Sequence, residues 1–458
     1  MTPSWCAPSA SIDARLVGCA YPRLRWSRCH RPDTSLVSWA EAMNKRGVDM
    51  TEKTTHVVVL GAGYAGLMAA MRLAKKTDSR AVAITLVNAT ETFNERVRNH
   101  QLISGQHLPE RPLAQILAKT RVRFQHGTVR ALQPGRQTAI VQTGPDETVE
   151  LRYDDLIYAL GSHVDVGSTP GAREHAYTLD ERSAAALAPL LPDLAARGGR
   201  VLLVGAGNTG VEVSTELAER FPDLRITVAT RRSFATNLSD GAQRHIRKAF
   251  SRLGIALIEN AEVTRLDEGQ AMTAAGPIPF DVCIWVGGFA VSDLARSAGI
   301  RVNMRGQILV DRALRSLSHP DIYAAGDAAM PADNPGTPIR MSLYAAGPMG
   351  AHVADTLAAQ FRGRQPSPFG LSYIAQGLSL GRRDGVVQFL DGSSDTATRF
   401  MITGRIANWF REFFVGFLLL TIRLQRTMPW VFSWPGKNKM RGLAWTERST
   451  HEAAHADG

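Results

Sequence analysis

The chain has 458 residues, 44% hydrophobic and 21% charged, enough for two or three domains that each bury a core. Its formal net charge of +11 and isoelectric point near 9.8 suit an anionic surface, but no nucleic-acid motif accompanies the charge and no nucleic-acid partner is expected. Four cysteines are too few for a disulfide framework, which points to a reducing, cytoplasmic setting.

Residues 1–53 lack helical or strand periodicity and read as a disordered extension. Their longest apolar run, Leu16 to Tyr21, is too short for a signal peptide. Arg15, Arg23, Arg25, Arg28 and Arg31 suit a transit peptide, but Asp13 and Asp33 interrupt its acid-poor pattern. The expectation is a dispensable extension, with initiation at Met43 or Met50.

From His56 the pattern changes to a buried strand, the turn Gly61-Ala-Gly63-Tyr-Ala-Gly66 and an Ala/Leu/Met-rich helix to Ala74, with a second strand at Ala83–Val87. Gly61 permits the tight turn, Gly63 leaves room for a pyrophosphate against the backbone, and Gly66 lets helix and strand approach. The phosphate then meets the free N–H groups of the helix start. The strand ends in Asn88, and the stretch Phe93–Gln101 is unusually polar for a segment entering a helix. Between Val122 and Leu160, alternation and the turn signals Gln133-Pro-Gly135 and Gly144-Pro145 predict a small antiparallel excursion.

After a hinge at Ala195–Gly199, the pattern recurs as Val201–Val204, the turn Gly205-Ala-Gly207-Asn-Thr-Gly210, a helix to Ala218 and a strand, Arg225–Ala229. Two dinucleotides are therefore expected. At the end of the last strand stand Thr230, Arg231 and Arg232. A carboxylate at Thr230 would bind an NADH ribose; two guanidinium forks instead match the 2′-phosphate of NADPH, so NADPH or mixed use is expected. Glu212 falls in the first helical turn, where the helix dipole favours an acid whether or not it touches a ligand.

Together with Tyr153–Ser162, which contains Gly161, and His319–Asp327, which contains Gly326, this set and order resembles the FAD-dependent pyridine nucleotide oxidoreductases over about residues 54 to 390. More narrowly, it resembles their type II NADH:quinone dehydrogenase branch. The chain has no CxxC or CxxxxC, so the dithiol relay of glutathione and thioredoxin reductases is excluded. The resemblance implies two Rossmann-like α/β domains, the second inserted in the first, and a small C-terminal module with an amphipathic helix. The expected parts are a disordered extension 1–53, an FAD domain from 54–165 and 289–363, an NAD(P)H domain 166–288, the C-terminal module 364–445 and a tail 446–458.

The resemblance also implies roles. Asn88 would accept from the adenosine ribose, Arg96 or Arg98 would meet the pyrophosphate or the reduced flavin, and Gly161 would allow close backbone approach. Asp327 would accept from a ribityl hydroxyl. Glu212 would order the nicotinamide or help to move a proton, although no lysine partner for it stands in the matching segment. Tyr344 and Pro348 occupy places where the branch carries glutamines on its quinone side. No metal is expected.

The last apolar stretch, Ile406–Ile422, has only ten uncharged residues between Glu412 and Arg423, about 15 Å of helix against about 30 Å of hydrocarbon. It cannot span a bilayer. It can lie on an anionic membrane surface, helped by Arg405, Arg411, Arg423, Arg426, Lys437 and Lys439, as a peripheral protein of the inner face, or pack as core or homodimer contact. The functional expectation is hydride transfer from NAD(P)H to FAD and then electron transfer to a membrane quinone. The alternatives are a reductase of a ferredoxin or rubredoxin and a redox-sensing flavoprotein.

Overall fold

The computed structural model describes residues 54–332 and 339–437. The expectations for residues 1–53, with Cys6, Cys19 and Cys29, and for Lys439 and the tail lie outside them.

The run Thr55–Leu60 forms β1, whose last four residues are almost wholly inaccessible. A strand this apolar needs cover on both faces, which is the situation in a parallel sheet. The turn at Gly61 leads into α1 (Tyr64–Lys76), and the chain returns as β2 (Val82–Asn88). A short helix, α2 (Asn99–Ile103), precedes β3 (Val122–His126). The antiparallel excursion begins one element later than the alternation suggests. Its strands are β4 (Thr128–Gln133), β5 (Thr138–Gln142) and β6 (Thr148–Arg152), while β3 joins the parallel sheet. The next strand, β7 (Asp155–Tyr158), lies beside β1.

A second parallel sheet follows. It is built from β8 (Ala176–Tyr177), β9 (Arg200–Val204), the helix α3 (Asn208–Arg220), β10 (Arg225–Ala229), the helix α4 (Asp240–Arg252), β11 (Ala256–Ile258) and β12 (Val282–Trp285), with strand order β11-β10-β9-β12-β8. Only then does β13 (Ile322–Ala324) complete the first sheet, in the order β13-β7-β1-β2-β3. The chain leaves and re-enters the first sheet through Ser162–Val164 and Phe289–Val291, which pair with each other as a short antiparallel ribbon.

The helix α5 (Leu343–Gln360) packs along α1. The C-terminal part is an antiparallel sheet, β14 (Ala375–Ser379), β15 (Gly385–Leu390) and β16 (Ala397–Thr403), with α6 (Gly404–Leu424) across it. The α6 surface has two apolar faces. Ala407, Val415, Leu418 and Ile422 are buried at helical spacing, whereas Ile406, Trp409, Phe413, Phe417 and Leu420 form an exposed ridge. The end of α6 is tied to the first sheet's helices by Arg72 of α1. That side chain is 1% exposed, holds Asp355 of α5 through two bonds of 2.7 and 2.9 Å, and donates to Gln425 at 2.8 Å and to the Pro429 carbonyl.

Candidate active site

Both glycine turns are built alike. Gly61 and Gly205 have φ of +94° and +111°, a region L side chains rarely adopt. A Cβ on Gly66 would lie 1.8 Å from the Gly61 carbonyl, and one on Gly210 would lie 2.0 Å from that of Gly205. The backbone therefore leaves no room for a side chain at either position. Nothing stands within 4 Å of a Cβ built on Gly63 or Gly207, so both cradles are open above the turn.

The two helix starts face one cavity of about 610 Å³, lined by Gly63, Tyr64 and Ala65 from α1 and by Asn208, Thr209 and Glu212 from α3. Gly161, Gly326 and Asp327 also border it. Asp327 accepts from the Ser162 hydroxyl at 2.6 Å, and an Arg96 nitrogen lies 3.8 Å away. In the same cavity wall the Tyr64 hydroxyl and the side-chain oxygens of Asn94 and Asn99 are buried without hydrogen-bond partners. Buried polar atoms are normally satisfied, so these orphans and the open cradles fit a polar ligand held against the first turn.

Several expected residues stand elsewhere. Arg98 does not border the cavity. It pairs with Glu95 at 3.2 Å and with Glu412 of α6 at 2.7 Å, so the short turn Arg96–Arg98 aims Arg96 inward instead. Asn88 braces the first glycine turn: its side-chain oxygen accepts from the Ala62 N–H at 2.9 Å, and its amide donates to Thr90. Arg231 is 66% exposed beside Glu262, and both Arg231 and Arg232 lie in the loop after β10, away from the cavity lining.

Glu212 stands beyond the first turn of α3 rather than in it, because the helix already begins at Asn208, and it has a partner that sequence reasoning missed. The Arg411 guanidinium on α6 lies 2.8 Å from its carboxylate, with only 8% of the arginine side chain exposed. Arg411 also holds Glu412 at 2.5 Å. Burial alone would lower the Arg411 pKa, but Glu212 and Glu412 outweigh it and hold the guanidinium above its ordinary value. This corrects the reading of Arg411 as a lipid-facing charge. Lys437 is likewise turned inward, 3.7 Å from Asp355. The only signal for Arg411 was its helical phase, in register with Ala407 and Val415 rather than with Trp409 and Phe413.

The rest of the wall comes from the C-terminal part. Arg340 donates to Gln376 at 2.8 Å, and Gln376 donates to Asn208 at 2.9 Å, linking the approach to α5, strand β14 and the second cradle. Tyr344 stacks between Tyr373 and Phe414 at 5.4 and 6.0 Å, while Phe410 and Phe414 line the cavity from α6. Pro348 is buried inside α5, outside the lining. Among the described residues the one cysteine, Cys283, is buried in β12, and burial pushes its thiol up to about 12. No metal-ligating cluster occurs among the described residues.

A family model described as pyridine nucleotide-disulphide oxidoreductase matches residues 55–356. The chain is 25% identical over 397 residues to the demethylphylloquinone reductase NdbB of Synechocystis, covering 81% of this chain and 97% of that protein. It is also 25% identical over 378 residues to the type II NADH:quinone oxidoreductase of Staphylococcus haemolyticus, covering 74% and 90%. Among solved structures, NDH2 from Plasmodium falciparum in complex with NADH shares the fold with a TM-score of 0.69 at 15% identity, covering 83% of this chain and 98% of that one.

Proposed function

The chain belongs to the pyridine nucleotide-disulphide oxidoreductase family, with FAD and NAD(P)H as cofactors, and from that premise we propose that it carries electrons from NAD(P)H to a quinone at a membrane surface. The observation that carries the reading is the single cavity onto which both helix starts and the aromatic inner face of α6 open. A flavin held between the cradles would supply the hydride and electron-transfer chemistry.

The protein's part is positioning and charge. In this reading residues 54–165 and 289–363 hold FAD. The α1 start takes its pyrophosphate, Asp327 with Ser162 orients the ribityl chain, and Arg96 and the α5 start favour negative charge. In the same reading residues 166–288 hold the donor through Asn208, Thr209 and Glu212, and Arg231 and Arg232, on the exposed loop after β10, would meet the 2′-phosphate of NADPH.

Quinone rather than a small iron–sulfur protein is favoured by α6. The same helix presents Phe410 and Phe414 to the cavity and Trp409, Phe413 and Phe417 to the outside. It thus stands between the redox cavity and an apolar surface suited to a lipid interface. No helix among the described residues is long and apolar enough to cross a membrane, so attachment in this reading is peripheral. Steady-state turnover of the purified yellow protein with a short-chain quinone, a ferredoxin, a rubredoxin and oxygen tests the assignment. Quinone should give the highest kcat/KM, and preference for an iron–sulfur carrier would sink it. A colourless protein that cannot be reconstituted with flavin would remove the premise.

A further inference from the structure

A second, smaller cavity of about 250 Å³ shares a wall with the redox cavity, and His100 lines both. The two differ in chemistry. The large one is faced by Tyr344, Tyr373, Phe410 and Phe414 on its α6 side, whereas Glu216, Glu412, Arg382 and Gln106 line the small one. Ser379 also borders the small cleft, and both its N–H and its hydroxyl donate to Glu212, at 3.1 and 3.3 Å. Glu212 in turn lines the redox cavity. Two polar links therefore cross one wall.

Reduction of a quinone by NAD(P)H is written NAD(P)H + H⁺ + Q → NAD(P)⁺ + QH₂. The donor brings one hydride, so one proton per turnover must come from solvent. The two hydroxyls on the aromatic side are tied to backbone, Tyr344 donating to the Ser372 carbonyl at 2.8 Å and Tyr373 accepting from the Arg340 N–H at 2.9 Å, and neither borders the small cleft. We propose that the small cleft is the proton inlet of the redox cavity, with His100 and the Ser379–Glu212 pair relaying across the shared wall. This inference rests on the quinone reading.

The groups acting electrostatically on His100 are Glu212 from α3, Arg411 and Glu412 from α6, and Arg98 from the turn before α2. Burial, the largest influence, lowers the His100 pKa, which leaves the ring neutral at pH 7. A neutral imidazole takes a proton on one nitrogen and releases one from the other, so the ring can pass charge without retaining it. Glu216 is held in the cleft by Gln106 at 2.5 Å and Arg382 at 3.1 Å, and burial raises its pKa, which suits a carboxyl that picks up protons from water.

The test compares acceptors on one preparation of holoenzyme, because ferricyanide takes electrons without a proton. In His100→Gln the ratio of quinone to ferricyanide turnover should fall by about tenfold or more, less than the roughly hundredfold low end of a sole positioned proton donor because the Ser379–Glu212 link remains. The solvent isotope effect on quinone turnover should rise. Ser379→Ala should lower the same ratio more mildly. The second readout needs no turnover: in the oxidised holoprotein labelled at histidine nitrogen, saturating the water signal should attenuate the His100 ring resonance, assigned by its loss in His100→Gln. An unchanged ratio in both variants, or a His100 ring protected from water, overturns the inlet. If the wild type reduces ferricyanide but no quinone while the ring still exchanges, the acceptor reading falls and the solvent inlet stands.

Discussion

Replacing Trp409 and Phe413 together by serine tests what the outer face of α6 is for. These residues are 67% and 55% exposed, with their rings stacked at 5.7 Å. Fully burying a large apolar side chain stabilises by about 1.5 to 3 kcal/mol. More than half of each ring remains to be covered, so insertion into a lipid interface should contribute roughly 1 to 2 kcal/mol per residue. The double variant should then bind vesicles roughly 30- to 700-fold more weakly, the equivalent of about 2 to 4 kcal/mol. Flotation with vesicles of mixed neutral and anionic lipid reads this directly. Added salt should weaken the residual binding through the exposed Arg405, Arg423 and Arg426. Both rings point away from the core, so folding stability should change by no more than about 0.5 kcal/mol. Flotation equal to wild type would refute the membrane face. A fall in stability together with loss of a dimer in sedimentation would assign that face to a second copy of the chain.

Arg411→Met leaves Glu212 buried without its cation and should destabilise the protein by about 3 to 5 kcal/mol. Adding Glu212→Gln should recover part of the loss; an unshifted denaturation midpoint in the single variant would show that the pair contributes nothing. Arg231→Glu should lower kcat/KM for NADPH relative to NADH by about tenfold or more, since each unit-charge interaction near 4 Å at a solvent-exposed site is worth about 1 kcal/mol. Wild-type preference for NADH by that margin would remove the 2′-phosphate role. His352 on α5 is 4% exposed, and burial lowers its pKa to about 4. Its neutral ring therefore supports the fold fully above the ordinary histidine pKa of about 6.5, and that contribution is lost as pH falls from there toward about 4. His352→Gln should flatten this acid limb of the Tm profile, and an identical limb in the variant would contradict the assignment.

What could be read from the sequence was local. The strand, glycine turn and helix around Gly61–Gly66 and Gly205–Gly210 are set by neighbours a few residues apart, and they fold as expected. Asp327 and Gly161 were legible for the same reason, as residues at the ends of short apolar strands bordering one cavity. Other features depend on contacts between distant segments. The Glu212–Arg411 pair joins two helices that no periodicity relates, and an arginine in an apolar helix reads equally well as a lipid anchor. The exchange of Arg98 for Arg96 was decided by a single turn of short helix and by Glu412 far along the chain. The polar stretch Phe93–Gln101 was recognised as unusual, but the two cavities that meet at His100 exist only once α2, α3, β14 and α6 are assembled.

The ribbon formed by Ser162–Val164 and Phe289–Val291 has a practical implication for engineering. Everything between those two crossings departs and comes back at adjoining points, so the intervening stretch is covalently joined to the rest at one paired junction, while Glu212, Glu216 and His245 dock it separately onto Arg411, Arg382 and Asp384. Transplanting that block from a homologue with the opposite coenzyme preference, joined at the paired residues Val164 and Phe289, would exchange the second cradle only if the incoming helix keeps carboxylates that match Arg411 and Arg382.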